Sequence, residues 1–256
     1  MGDRWRLIPV LDAPGGVQMA IDRWLFEQQA QGTIPPTFRF YTWSEPTISL
    51  GFHQRRYPAA WDTLQWGDRP VPLVRRPTGG RAVLHGGDLS YAVVSAQLGS
   101  RRDAYCQICR WLIAGWRELG VALRFGQGRS TGLRDQANCF ALATDADLVI
   151  ETSGHKLIGS AQVWQRQTVL QHGSMALMPD RALHETVFGL APPAIALPSV
   201  TQADIISALS VAAVAQLGAE WVVEPLSDRE WAAIQAWEPT LRLDAAIAPG
   251  SATANP

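Results

Sequence analysis

Between residues 148 and 171 the chain twice follows the pattern of a pair of antiparallel strands. Leu148-Val149-Ile150-Glu151-Thr152 and Lys156-Leu157-Ile158 flank Ser153-Gly154, and Ala161-Gln162-Val163-Trp164 and Thr168-Val169-Leu170-Gln171 form a second pair. β-Branched and aromatic runs bounded by such turn residues predict hairpins. Similar runs lie upstream at 37–43, 47–51, 71–75 and 82–84, the last followed across Gly86-Gly87 by 89–94. Helical spacing groups Val17, Ile21, Trp24, Leu25 and Gln28 over 17–31. It also groups Tyr105, Ile108, Leu112, Trp116 and Leu119 over 102–119, with Gly32 and Gly120 as stops. Thr201 caps a helix reaching about Leu217, Trp221-Val222-Val223 reads as a strand, and Ser227 with Glu230 forms a capping box for a last helix. Short hairpin strands mixed with a few helices predict an α+β fold rather than a doubly wound sheet.

A chain of 256 residues can bury a sizeable core, and residues 1–247 are expected to form one catalytic domain. The Pro- and Ala-rich stretch 190–198 reads as a linker, and the small, polar tail 248–256 is expected to be disordered. A net charge of -1 gives no ground for a nucleic-acid partner. No apolar run is long enough to span a membrane, and the start lacks the apolar stretch of a signal peptide. With three cysteines, these features predict a cytoplasmic protein without a membrane partner.

Three segments carry candidate chemistry. In Arg75-Arg76-Pro77-Thr78-Gly79-Gly80-Arg81, glycines permit close backbone approach and arginines supply planar donors for a carbonyl, carboxylate or phosphate. A plain hairpin turn with solvated arginines is the other reading. There is no Gly-Lys-Ser/Thr ending, so it is not a Walker loop. Cys139, in Gln136-Ala137-Asn138-Cys139-Phe140, is either a small core residue or a nucleophile whose thiolate a nearby cation favours. Lys156, between Gly154 and Gly159, is either solvated or the cation beside that thiol, where it can polarise an acyl carbonyl. His85 and His172 can serve as general bases, but a satisfied structural histidine is the default for both. No histidine pair has metal-ligand spacing, so no metal site is expected. Cys106 and Cys109 fall inside a helix and read as packing.

Taken together, these segments resemble the biotin/lipoate A/B protein ligase superfamily, and within it the cysteine-dependent octanoyltransferases. Met19-Ala20-Ile21-Asp22 is similar to the superfamily's Met-Ala-x-Asp signature. Phe40-Tyr41-Thr42-Trp43 with Pro46-Thr47-Ile48-Ser49-Leu50-Gly51 resembles the strand pair that follows. The arginine loop through His85 is similar to a lipoate-binding loop. Gly159-Ser160-Ala161-Gln162 and Gln171-His172-Gly173-Ser174 resemble the strands beside the family lysine, matched by Lys156. The resemblance implies a mixed β-sheet flanked by helices, of the class II aminoacyl-tRNA synthetase and biotin synthetase kind. It implies octanoyl transfer in lipoate biosynthesis, through a thioester on Cys139 and with no cofactor. The donor would be octanoyl-acyl carrier protein. The acceptors would be lipoyl-domain proteins, namely glycine cleavage H protein and the E2 subunits of 2-oxoacid dehydrogenases. Cys139 and Lys156 would be catalytic. Arg75, Arg76, Thr78, Gly79, Gly80, Arg81, His85, Gly159, Ser160, Ala161 and His172 would bind substrate. The alternative is an ATP-dependent lipoate or octanoate ligase acting through an acyl-adenylate.

Overall fold

The computed structural model describes residues 4–126, 147–218 and 220–243. The chain begins with β1 (Arg4–Ala13), α1 (Gly15–Ala30), β2 (Thr37–Trp43) and β3 (Thr47–Leu50). After a 3-10 turn at Ala59–Thr63 come β4 (Gln65–Trp66), β5 (Arg69–Pro70), β6 (Leu73–Arg75), β7 (Val83–His85) and β8 (Asp88–Ser95). The middle of the chain supplies α2 (Arg101–Glu118), β9 (Leu123–Phe125), β10 (Asp147–Ile150), β11 (Lys156–Gln165) and β12 (Thr168–Ala176). It ends with α3 (Arg181–Phe188), α4 (Gln202–Leu217), β13 (Glu220–Val223), α5 (Asp228–Gln235) and α6 (Glu238–Leu241).

Eight strands form one sheet in the order β13-β1-β2-β8-β12-β11-β10-β9. β13, β1 and β2 run parallel, and every later neighbour is antiparallel. A smaller sheet, β6-β3-β7, pairs β3 parallel with β6 and antiparallel with β7. This is the expected α+β architecture, a mixed sheet flanked by helices. Among the described residues no helix is long and apolar enough to cross a membrane.

Alternation along the strands sends one set of side chains to each face. Phe38, Phe40, Tyr91 and Val93 pack with Trp111, Trp116 and Leu209 of α2 and α4. Tyr41, Ala92, Val94 and Leu170 pack with Met19, Ile21 and Leu25 of α1. Helix α2 crosses α4 closely at Gly115, where a Cβ would stand 2.9 Å from Leu209 Cα. Ser100, Thr201 and Ser227 each cap a helix with an acidic partner three residues on. The last box is also tied to the sheet: Arg6 holds both oxygens of Glu230 at 2.6 and 2.9 Å and the carbonyls of Glu224 and Pro225.

The structure adds elements that periodicity does not predict. β1 fails to alternate because Pro9 lies within it and its register on β2 shifts between Ile8 and Leu11. The short helix α3 is marked only by its ends, an Asp180 cap and Gly189 at φ 77°. The strands on either side of Gly86-Gly87 belong to different sheets. β7 joins β3, whereas β8 lies between β2 and β12. Both glycines have positive φ, 129° and 83°, so the chain turns sharply between layers.

Candidate active site

The sheet switch at Gly86-Gly87 leaves a cleft between the α1-facing side of the large sheet and the small sheet. Its floor is a cross-strand row in register: Tyr41 opposite Ser90, Ser90 opposite Ser174, and Ser174 opposite Gly159. The middle of this row is small, which leaves space above it. Tyr41, Trp43 and Met19 stand at one end. Ser49, Arg76, Gly80, Val83 and His85 close the cleft from the small sheet and the loop after β6. The cleft holds about 510 Å³ between protein atoms, its mouth included.

A buried polar chain braces this cleft. Asp22, on α1, is fully buried and accepts from Arg39 Nε and Nη2 at 3.0 and 2.6 Å. Its other oxygen accepts from Tyr41 Oη at 3.1 Å and His172 Nδ1 at 2.7 Å. The second nitrogen of His172 lies 2.6 Å from Thr78 Oγ1. Burial pushes the Asp22 carboxyl up, but the Arg39 charge and the hydrogen bonds from His172 and Arg39 outweigh it and hold it below the usual range. Burial pushes His172 down, and the pull of Asp22 does not restore it. The ring is therefore neutral near pH 7, with its proton on Nδ1, and Nε2 accepts from the Thr78 hydroxyl. Helix α1, strand β12 and the arginine loop are joined through this one imidazole.

A second chain runs beside it. His85 Nδ1 donates to Asp88 Oδ2 at 2.8 Å, His85 Nε2 is 2.8 Å from Ser49 Oγ, and the ring stacks 3.7 Å from Trp43. Asp88 also accepts from Ser174 Oγ at 2.6 Å, Ser90 Oγ at 3.1 Å and Gly86 N at 2.9 Å. Burial works to raise its carboxyl; the interaction with His85 and the hydrogen bonds from His85, Ser174 and Gly86 prevail and lower it. Two of the small residues on the floor thus have their hydroxyls turned onto one carboxylate.

The loop residues differ in role. Arg75 Nη1 donates to the carbonyls of Gly51, Phe52 and Gln54. Arg76 donates to the carbonyls of Ser49, Gly79 and Arg81 and to Ser49 Oγ. These donors, expected to meet a bound group, hold the loop to β3. Arg81 contributes a backbone acceptor to that grip. Thr78 is fully buried, whereas Gly79 is half-buried and Gly80 faces solvent. Gly80 (φ 99°) passes so close to Gly51 that a Cβ on Gly51 would stand 1.9 Å from Gly80 O.

Lys156 Nζ lies 2.8 Å from Asp147 Oδ1, and both side chains are buried. A Cβ on Gly159 would stand 2.9 Å from that nitrogen, so the bare glycine lets the lysine lie at the Gly159 end of the floor. Ser160 and Ala161 continue the cleft wall, with the Ser160 hydroxyl 2.7 Å from Tyr91 Oη. Cys139 lies outside the described residues. The chain leaves at Gly126 and returns at Asp147, and Gly126 N donates to Asp147 O at 2.8 Å. Gly126 and Asp147, the described residues on either side, are thus in contact, and Asp147 is the partner of Lys156. Cys109 packs inside α2, where burial pushes its thiol up to about 12.

A model of the lipoyl protein ligase A/B catalytic domain matches residues 14–217, a span containing every residue of the cleft. The chain belongs to this lipoyl protein ligase A/B family. Octanoyltransferase LipM of Moorella thermoacetica is 38% identical over 180 residues, 68% of this chain and 66% of that protein. Octanoyltransferase LipM of Kyrpidia tusciae is 37% identical over 186 residues, 69% of this chain and 67% of that protein. The match thus spans about two thirds of the length of these curated relatives. Among solved structures, protein Ta0514 of T. acidophilum with bound lipoic acid has a TM-score of 0.76 at 19% identity, covering 93% of this chain and 95% of that one. Lipoate-protein ligase A bound with ATP has a TM-score of 0.74 at 20% identity, covering 92% and 94%. Both likenesses are of fold.

Among the site residues to which sequence reasoning gave no role are the carboxylates Asp22, Asp88 and Asp147. Each holds a predicted residue: Asp22 holds His172, Asp88 holds His85 and Asp147 holds Lys156. The available signals were slight. Asp22 lies within the Met-Ala-x-Asp segment, and Asp88 follows His85 by three residues.

Proposed function

We propose that this protein is an octanoyltransferase. It moves an octanoyl group from acyl carrier protein to a lysine of lipoyl-domain proteins in lipoate biosynthesis, in the cytoplasm. The observation that carries the reading is the small-residue floor running from Tyr41 to Gly159, with Lys156 at its far end. Three inter-strand steps give roughly 14 Å, room for an extended eight-carbon chain with its carbonyl at Lys156. The names of the curated relatives support the same reaction.

In the first step the Cys139 thiolate attacks the octanoyl thioester, the carrier thiolate leaves, and the acyl group rests on Cys139. In the second, the acceptor amine attacks that thioester. An amide forms, the Cys139 thiolate leaves, and the nitrogen gives up one proton. Lys156 polarises the carbonyl in both steps. Thioester exchange is nearly balanced and amide formation is downhill, so no nucleotide is consumed. Acceptors of this chemistry are glycine cleavage H protein and the E2 subunits of 2-oxoacid dehydrogenases.

Intact mass after mixing with octanoyl-carrier protein, without ATP, tests the proposal. A hydroxylamine-labile octanoyl adduct, missing in Cys139→Ser, is expected. Transfer only from free acid with ATP would instead establish an acyl-adenylate ligase.

A further inference from the structure

A second recess opens on the other side of Ser174. Lys156 lines this recess rather than the first cleft, and Ser174 lines both. We propose that this recess holds the pantetheine arm of the acyl donor, an inference that rests on the octanoyl-transfer reading.

A thioester carries two chains on one reacting centre. With the acyl chain along the floor and its carbonyl at Lys156, the sulfur-bearing arm must leave by another route. Lys156, Ser174, Ala176 and Ile195 all line the recess. Its walls of Pro192, Pro193 and Phe188 suit the gem-dimethyl part of the arm, and Ser174, Asp88 and Lys156 add polar groups to the lining. One wall is the bare backbone of Gly86-Gly87. A Cβ on Gly87 would stand 2.0 Å from Met178 O, so the wall cannot carry a side chain there. Beyond Gly87, Asp88 and Ile195 the space widens into a third hollow reaching Met178, which is 81% exposed. The second recess and this hollow share Gly87, Asp88 and Ile195, and the hollow is also lined by Thr42 and Trp43. Residues 190–198, a linker by composition, supply part of the lining of the recess through Pro192, Pro193 and Ile195.

The test compares two donors, octanoyl-carrier protein and octanoyl-N-acetylcysteamine, whose arm is truncated. Acylation rates are read by intact mass in the wild-type protein and in Ala176→Trp and Ile195→Trp, at two residues that line the recess. Binding energy from a remote part of a substrate accelerates the wild-type reaction, so the carrier donor should lead by about tenfold or more. Either variant should abolish that lead while changing the truncated donor by less than about twofold. Unchanged carrier rates in both variants would overturn the proposal, as would equal losses with both donors. Normal acylation with slowed transfer to a lipoyl domain would assign the recess to the acceptor lysine and likewise overturn it. No acyl-enzyme from either donor in the wild-type protein would overturn the octanoyltransferase reading itself.

Discussion

Asp22 Oδ2 and His172 Nδ1 lie 2.7 Å apart, joining a helix near one end of the chain to a strand 150 positions later. The carboxylate also carries the buried Arg39, and the imidazole carries Thr78. Asp22→Asn keeps the shape but removes the charge, leaving Arg39 buried without a counter-ion. Breaking such a pair from one side costs about 3–5 kcal/mol, a loss expected in urea unfolding at neutral pH.

His172 sets a pH dependence whose sign follows from its lowered affinity for protons. The unfolded histidine takes up a proton near its ordinary 6.5, and the folded one does so only at lower pH. Stability therefore falls on acidification below about pH 6.5. Asp22 adds to the loss at lower pH, as its carboxyl, held below the ordinary 3.8, is finally protonated. In His172→Gln the upper part of this dependence disappears. The stability advantage of the wild-type protein should narrow between about pH 7 and pH 5, read from urea midpoints at each pH. A constant gap would refute the assignment.

Gly51 and Gly80 make the tightest backbone approach at the cleft. A methyl group at residue 51 meets Gly80 O and C at 1.9 and 2.8 Å, backbone atoms held by the Arg76 hydrogen bonds around them. Gly51→Ala should cost about 1–3 kcal/mol and slow acyl transfer by displacing the loop. Gly79→Ala meets open space within 4 Å and should change stability by less than about 0.5 kcal/mol. Thermal melts and transfer assays on the pair check both statements.

Met19 is 1% exposed and stands with Tyr41 at the end of the cleft farthest from Lys156. Met19→Ala should lengthen the acyl chain accepted, raising dodecanoyl over octanoyl transfer in a competition assay, and should cost about 2–5 kcal/mol of stability. Met19→Leu, which preserves volume, should leave the preference unchanged. An unaltered ratio in Met19→Ala would show that the chain lies elsewhere.

The hairpins around residues 148–171 were legible because strand-forming runs are bounded by small or polar turn residues, although the runs at 156–158 and 161–164 prove to be one strand, β11. Helix α2 was legible through its helical spacing and Gly120, and α4 and α5 through their caps. β1 was not, because Pro9 and a register shift break its period. The glycine-flanked Lys156 and the arginine loop stood out in the sequence, but the direction of the arginine side chains did not. A guanidinium turned onto its own loop carbonyls and one turned outward have the same local sequence. Asp22 was hidden for a similar reason: one acid on a helix ordinarily marks a solvated position, and only the sheet opposite makes it a buried counter-ion.

By itself, the sequence determined the kind and order of most elements, since period, caps and turn residues act within a few positions. It also determined family membership, through segments spread along the chain. Tertiary structure alone decided which charges meet. Asp22 reaches Arg39 and His172, and Asp88 reaches Ser174, because β8 is inserted between β2 and β12 in one particular register. A slip of one residue in a strand would turn its own member of these pairs, Arg39, Asp88 or His172, to the other face. Sheet order and register are set by packing over the whole molecule, so the chemistry of the cleft depends on contacts that no short stretch of sequence contains.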